Sequence, residues 1–383
     1  MSKKNNTTSA GRISISDLIT GINKKSGRSV AHSLKGDNPT EVKQWIPTGS
    51  RWLDSMICKG KYAGIPVGKI TEIAGLEATG KSYMAAKIAA NAQKMDLLPV
   101  YFDSESAIDP TFLERAGCDL ENLIYIQASN VEFVLETMEH LLDASDKKLL
   151  FIWDSLAFTP SVTDVEGNFD PQSSIATKAR ILAKGVSKLT IPIADKQATW
   201  LVLNQLKTNI TRTPAEAMTT PYVTPGGKAM SYAYSLRIWL TGRKAKGSYV
   251  YNDSGFRIGS EVKVKLEKSR FGTQGRTCNF TILWGTEHVG VQDEQSWLDA
   301  LKESKHMIVK GSWYTLSLDG YEKKFQPSRW VEVLNSDEEF KNKVIELMDI
   351  EVIQKFDSLE GNASMFYDSD GENDSNNENG SEE

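Results

Sequence analysis

Cysteine is scarce in this chain: three thiols, Cys58, Cys118 and Cys278, lie far apart along 383 residues. An odd and scattered set supports neither a disulfide framework nor a zinc site, and it points to a reducing, cytoplasmic compartment. The four histidines are equally dispersed, so any metal chemistry has to use oxygen ligands. No apolar run approaches the roughly 20 residues that span a bilayer, and no membrane partner is expected. The opening stretch, MSKKNNTTSAGRISIS, is basic and polar with no apolar segment behind it, which argues against a secretory signal. Bases are missing from the other end, where the last sixteen residues, DSDGENDSNNENGSEE, hold seven acids and no Lys or Arg. Without them the formal charge of −5 becomes 45 bases against 43 acids, a nearly neutral or slightly basic body. Such a body is compatible with nucleic-acid binding, the tail competing for basic surface. Composition by itself reads the tail as a disordered solubilising segment.

What is present fits a globular protein, with 40% hydrophobic and 25% charged residues and length enough for one large core plus smaller additions, or for two domains. Residues 1–45 are polar with short apolar islands at Ile13–Ile19 and Val30–Leu34, and read as a mobile arm ordered only against a partner. From Ile46 the pattern becomes α/β. Strands are expected at Val67–Gly75, LLPVYFD, Lys148–Ser155 and Ala198–Gln205, with helices at Gly80–Lys94 and VEFVLETMEHLLDA. Their alternation predicts a doubly wound, mainly parallel sheet. After about residue 234, LRIWLTGR, SEVKVKLEKSR and RTCNFTILWG, separated by short Gly-containing turns, predict an antiparallel extension. The body so defined is 46–290. A smaller α+β unit follows over 291–360, with helices at Gln292–Ser304 and Asp337–Phe356 around a hairpin in GSWYTLSLDGYEKKF; an acidic tail fills 361–383.

The strongest chemical signal is Gly75-Leu76-Glu77-Ala78-Thr79-Gly80-Lys81-Ser82, a G-x-x-x-x-G-K-S string between an expected strand and an expected helix. The glycines let backbone N–H groups close around a β-phosphate at the positive end of the helix. Lys81 then reaches the β- and γ-phosphates and the Ser82 hydroxyl completes the shell of a Mg²⁺ ion. Tyr83 follows directly and is counted with the nucleotide contacts. Such a loop requires an acid on a neighbouring strand, and LLFIWDS supplies Asp154. PVYFDSESAIDP adds three more carboxylates at a strand end, Asp103, Glu105 and Asp109. Glu105 is placed to activate a water, Asp103 to support it or merely end the strand, and Asp109 to meet a base or ribose. Spacing alone does not rank the three.

Together these motifs resemble the RecA-family recombinases, and most closely their phage branch of UvsX-type proteins. The resemblance runs from about Ile46 to Gly285 and rests on IPTGSRWLDSMICKG, GLEATGKS, YFDSESAIDPTFLERAGCDLENLIYIQ, FIWDSLAFTP, LVLNQLKTNI with TPGGKAMSYAYSLRI, and VKLEKSRF, in that order. It implies a RecA-type ATPase core. By position it implies that Glu105 orients the attacking water, that Asp109 and Phe112 contact adenine, and that Gln205 senses the γ-phosphate. Lys268 and Arg270 would approach that phosphate across a subunit interface, as an arginine finger does. The resemblance implies DNA-binding loops near 160–174, including Glu166-Gly167, and near 206–227, and an oligomerisation segment in the arm, for which SVAHSL (Ser29–Leu34) is the candidate.

The residues of the second loop agree. About twenty Thr-rich residues between Gln205 and Gly226 show neither helical nor strand periodicity, which inside a compact domain marks a functional or disordered segment. Lys207 and Arg212 can contact phosphates, while Gly226 and Gly227 allow close approach of backbone to a strand. Trp313 and Tyr314 read as packing residues before a DNA platform. The expectation is a DNA-dependent ATPase that uses ATP and Mg²⁺, forms helical filaments on single-stranded DNA, and pairs it with homologous duplex. A loading mediator and a single-strand-binding protein are its expected partners, and a host cytoplasm its location if the source is viral. Two rivals remain: a RecA-fold ring helicase, whose usual large N-terminal domain is missing, and an ATP-switched mediator, which needs none of Glu105, Lys268 and Arg270.

Overall fold

The apolar runs become the interior strands of one sheet because both of their faces are covered. A computed structural model describes residues 14–27, 29–35, 40–167, 175–210, 221–242, 248–284 and 289–355. Among them, ten strands form the central sheet: β1 (Ile70–Gly75), β2 (Leu97–Asp103), β3 (Ile124–Gln127), β4 (Lys148–Asp154), β5 (Thr199–Gln205), β6 (Leu236–Gly242), β7 (Tyr249–Tyr251), β8 (Arg257–Ser269), β9 (Thr277–Leu283) and β10 (Gly290–Gln292). Their spatial order is β10-β9-β8-β6-β1-β5-β4-β2-β3, with β7 added beside β8. The six from β6 to β3 are parallel, and β7 to β10 extend the sheet antiparallel. This is the expected RecA-type α/β architecture.

Successive strand residues point to opposite faces. Tyr101, Ile152 and Leu201 enter one core with the helix Lys81–Gln93. That helix is rich in alanine, and Ala85, Ala86, Ala89 and Ala90 are buried, so it lies close against the sheet. Phe102, Phe151, Trp153 and Trp200 enter the other core, beneath the helices Val131–Ala144 and Ile175–Asp195. The latter is not foreseen in the sequence; it carries Pro192 inside its last turn and still buries Leu182, Leu189 and Ile193.

The chain divides into two compact units, Met1–Lys43 and Gln44–Glu383. In the first, which is expected to be a mobile arm, a helix forms at Ile15–Ser26. Ser14 and Asp17 make a capping box, and Gly27 ends the helix in the left-handed region. Asn23 on its last turn accepts from the N–H groups of Val30 and Ala31, each at 2.8 Å, so the SVAHSL segment is tied back to the helix. Ile15, Leu18 and Ile22 remain exposed.

In the second unit, the helices Asp293–Leu301, Trp330–Ser336 and Glu338–Met348 pack with a three-stranded antiparallel sheet, Met307–Lys310, Trp313–Leu318 and Tyr321–Phe325. Phe340, Val344, Leu347 and Met348 are buried, as their spacing predicts. The last helix gives way to a π turn at Asp349–Gln354, and Phe356 lies outside the described residues. Tyr314 packs against Phe325, whereas Trp313 is exposed with Lys324 over its ring.

A polar seam joins this part to the sheet. The Arg51 guanidinium meets Asp349 at 2.8 Å, and the Arg51 N–H and Trp297 indole both donate to Asp293. Beneath it Asp54, 1% exposed, accepts from the Thr48 N–H and hydroxyl and from Tyr62. Burial pushes the Asp54 carboxyl up to about 7 against those hydrogen bonds. The native state therefore holds this proton more tightly than the unfolded chain, whose aspartates ionise near pH 4. Stability from this group is present below that value and is lost as pH rises to about 7. Asp54→Asn should exceed the wild type in unfolding free energy, measured by urea titration, by on the order of 2–3 kcal/mol more at pH 8 than at pH 5. An advantage that does not change with pH would show that this carboxyl does not titrate.

Candidate functional site

Parallel pairing brings the ends of β1, β2, β4 and β5 to one edge, with Gly75 level with Gln205 and Asp103 level with Asp154. From Gly75 the chain turns through residues 76–80 into the helix Lys81–Gln93. Leu76 donates to the Leu240 carbonyl, Leu206 donates to that of Gly75, and the Thr79 hydroxyl closes onto Leu76 at 2.8 Å. Gly80 sits at φ +81, and no side chain caps the helix that it opens. The first N–H groups of a thirteen-residue helix are thus left to an outside acceptor, a geometry suited to phosphate. Lys81 folds across the loop and donates to the carbonyls of Leu76 (2.9 Å) and Gly75 (3.3 Å). Burial holds its ammonium below the usual lysine range, opposed by Asp154, Glu105 and Glu77.

Two adjoining cavities flank the loop. One, of about 270 Å³, is lined by Ser82, Asp103, Glu105, Ala107, Ile108, Asp109, Phe112 and Asp154. The other, of about 290 Å³, is lined by residues 78–83, Phe112, Ile282, Leu283, Trp284 and Val289. Ser82 and Phe112 belong to both. The three acids of PVYFDSESAIDP now separate. Asp103, 2% exposed, accepts from the N–H groups of Glu105, Ala107 and Ile108 and from the Tyr125 hydroxyl, and so shapes the loop after β2. Glu105 projects into the cleft with its Oε1 held by the Ser155 hydroxyl at 2.9 Å. Asp109 caps the helix Pro110–Ala116 through the Thr111 N–H and lines the first cavity. Phe112 meets the Tyr83 ring edge-on at 6.1 Å.

Asp154 is 8% exposed, and burial raises its carboxyl while the Tyr101 and Ser82 hydroxyls oppose the rise. A hydroxyl and an oxygen anion beside uncapped N–H groups form a donor set of the kind that Mg²⁺ takes. No cluster of His, Cys, Asp and Glu that would hold a metal by protein ligands alone occurs among the described residues. The residues present therefore fit an ion bound partly by phosphate.

Other expected residues lie elsewhere. Gln205 ends β5, exposed beside the loop, its N–H on the Asn204 side chain. Lys268 and Arg270 line neither cavity; their side chains donate to the carbonyls of Ser231 and Tyr232, at the end of the helix Gly227–Ala233. The second loop is not without periodicity at its base, because Lys207–Thr208 pairs antiparallel with Tyr222–Val223. Gly226 (φ +113) and Gly227 (φ +79) turn the chain into the helix Gly227–Ala233 with Leu156 and Ala179 close by, which a Cβ at either position would crowd. In the first loop Val162–Glu166 is a capped helical turn. Residues 168–174 and Arg212 lie outside the described residues.

Sequence reasoning misses Tyr101, Ser155 and the wall formed by Ile282, Trp284 and Val289. Tyr101 shares a strand face with Asp103, and Ser155 follows Asp154 directly, so both were readable from period and adjacency. The wall comes from about two hundred residues downstream and has no local signal.

A family model described as the RecA N-terminal domain matches residues 13–289. Protein RecA of Bifidobacterium breve is 29% identical over 308 residues, covering 80% of this chain and 74% of that protein. Protein RecA of Streptomyces coelicolor is 30% identical over 284 residues, 74% and 71% of the two chains. Protein RecA of Frankia alni is 29% identical over 305 residues, 80% and 83%.

A Cβ at residue 80 would overlap the Cδ1 of Ile282, and its φ is one that L side chains avoid. Gly80→Ala should weaken binding of a fluorescent ATP analogue at least tenfold in a protein with unchanged circular dichroism. Unchanged affinity would place the phosphate site elsewhere.

Proposed function

The chain belongs to the RecA family, and from that premise we propose that it is a recombinase that polymerises on single-stranded DNA and exchanges strands with a homologous duplex. Membership of the family makes it a DNA-dependent ATPase with a role in recombination and repair. The motif set quoted above supports the phage, UvsX-type branch. The observation that carries the reading is that the uncapped phosphate loop and Glu105, held by Ser155, line adjoining cavities that share Ser82 and Phe112, while Lys268 and Arg270 line neither.

In this reading the N–H groups of residues 75–83 receive the phosphates, and Lys81 leaves its two carbonyls to join them. Ser82 and Asp154 would hold Mg²⁺, whose charge would offset that of the phosphate oxygens. Glu105, oriented by Ser155, takes a proton from the attacking water. Asp109 and Phe112 receive the adenine. Lys268 and Arg270 act on the nucleotide of a neighbouring protomer, so each site is completed only by assembly. A head-to-tail contact builds a ring when its rotation closes and a helical filament when it does not, and in this reading it does not close. Gln205 relays the γ-phosphate to the loop 206–227, where Lys207, Arg212, Gly226 and Gly227 meet DNA beside the loop 160–174.

The domain division proposed is an oligomerisation arm (1–45), the ATPase core (46–290), a small C-terminal domain (291–360) and an acidic tail (361–383). Among the described residues no helix is long and apolar enough to cross a membrane. We place the protein on DNA in the cytoplasm, a host cytoplasm if the source is viral, with a loading mediator and a single-strand-binding protein as partners.

Steady-state ATP hydrolysis against protein concentration, with and without single-stranded DNA, tests this. The specific rate should rise with DNA and fall steeply on dilution, and Lys81→Ala should abolish it. A rate indifferent to both DNA and dilution would mean a self-contained ATPase. Removal of residues 366–383 should tighten DNA binding and lessen its dependence on magnesium; an affinity unchanged across a salt series would leave the tail a solubiliser.

A further inference from the structure

Glu72 is a fully buried carboxylate in the middle of β1, three residues before the phosphate loop. A charge there is costly without partners, and an apolar pair of similar size would serve stability as well. Two of its partners come from the neighbouring strands. Arg237, directly opposite on β6, meets Oε2 at 2.6 Å, and the Asn204 amide donates to Oε1 at 2.9 Å. Each partner also grips the returning end of the loop that follows β5. Arg237 Nη2 donates to the Thr224 hydroxyl at 2.9 Å, and Asn204 Nδ2 to the Pro225 carbonyl at 2.9 Å. Asn204 Oδ1 meanwhile accepts from the N–H of Gln205, at the loop's departing end. Beside this network Leu206 and Tyr222, one from each end, pack with Trp239 and with Leu76 of the phosphate loop.

We infer that Glu72 is a positioning residue. Through Arg237 and Asn204 it ties the departing end at Gln205 and the returning end at Thr224–Pro225 to the strand that feeds the phosphate loop, so that Leu206–Ile210 and Pro221–Gly226 respond together to bound nucleotide. The inference rests on the nucleotide and DNA-loop reading above. It adds the structural element that holds the two together.

Hydrogen exchange of peptides covering Leu206–Ile210 and Pro221–Gly226 reads the coupling without DNA. With Mg²⁺ and β,γ-imido-ATP, exchange in the wild type should slow at least tenfold. Glu72→Gln, and the peripheral Thr224→Val in case the first does not fold, should lose most of that slowing while their Kd for the analogue stays within twofold of the wild type. A wild-type loop indifferent to the analogue would overturn the inference. So would variants that keep the slowing, or that lose it only in proportion to a weakened Kd. Failure of DNA to stimulate wild-type hydrolysis would remove the recombinase reading and leave this readout intact.

Discussion

The cleft depends on the parallel pairing of β1 with β5 and of β4 with β2 and β5. Strands buried on both faces tolerate a charge in mid-strand only when it is paired, as Glu72 is with Arg237, and otherwise carry charge where they end. Gly75, Asp103, Asp154 and Gln205 are the last residues of four different strands, and the register alone makes them neighbours. The uncapped helix after Gly75 then supplies positive potential at the point where Asp103, Glu105 and Asp154 supply the opposite sign. A slip of one residue in any of these pairs would turn its terminal side chain to the other face of the sheet.

Much of this was legible because it is written locally. LLPVYFD and VEFVLETMEHLLDA have the boundaries that their patterns predict, since a short apolar run with Val and aromatic residues favours a buried strand and a 3.6-residue stripe over fourteen residues favours a helix. The phosphate loop is legible for the same reason: its spacing is its mechanism. The helix Ile15–Ser26 also carries a local signal, Ser14 with Asp17, yet none of its residues is buried among the described residues of its unit, and an amphipathic stripe without a core reads as an unstructured arm. The helix Ile175–Asp195 escapes because a proline stands near its end, where a break would be expected.

The candidate site was half legible. Glu105 could be placed near the phosphates from order along the chain, but its partner Ser155 arrives from another strand. Asp103 could not be ranked by spacing because its partners are mostly main-chain N–H groups, present at every position and selected only by the path of the loop. Lys268 and Arg270 are legible as cations and not as participants, because neither cavity at the phosphate loop is lined by them.

The seam at Arg51 has a consequence for the order in which the chain acquires its structure. Arg51 stands near the beginning of the second unit, yet its main-chain and side-chain partners, Asp293 and Asp349, come 242 and 298 residues later. Trp52 likewise packs against both the first core and the C-terminal one. A ribosome releasing the chain from its N-terminus exposes this corner early and cannot complete it until almost the whole body has emerged. Contacts of such sequence separation form slowly, because loop closure comes before their reward. The nascent protein therefore carries an unclosed corner through most of its synthesis, and the corner closes only when Asp293 and Asp349 have emerged.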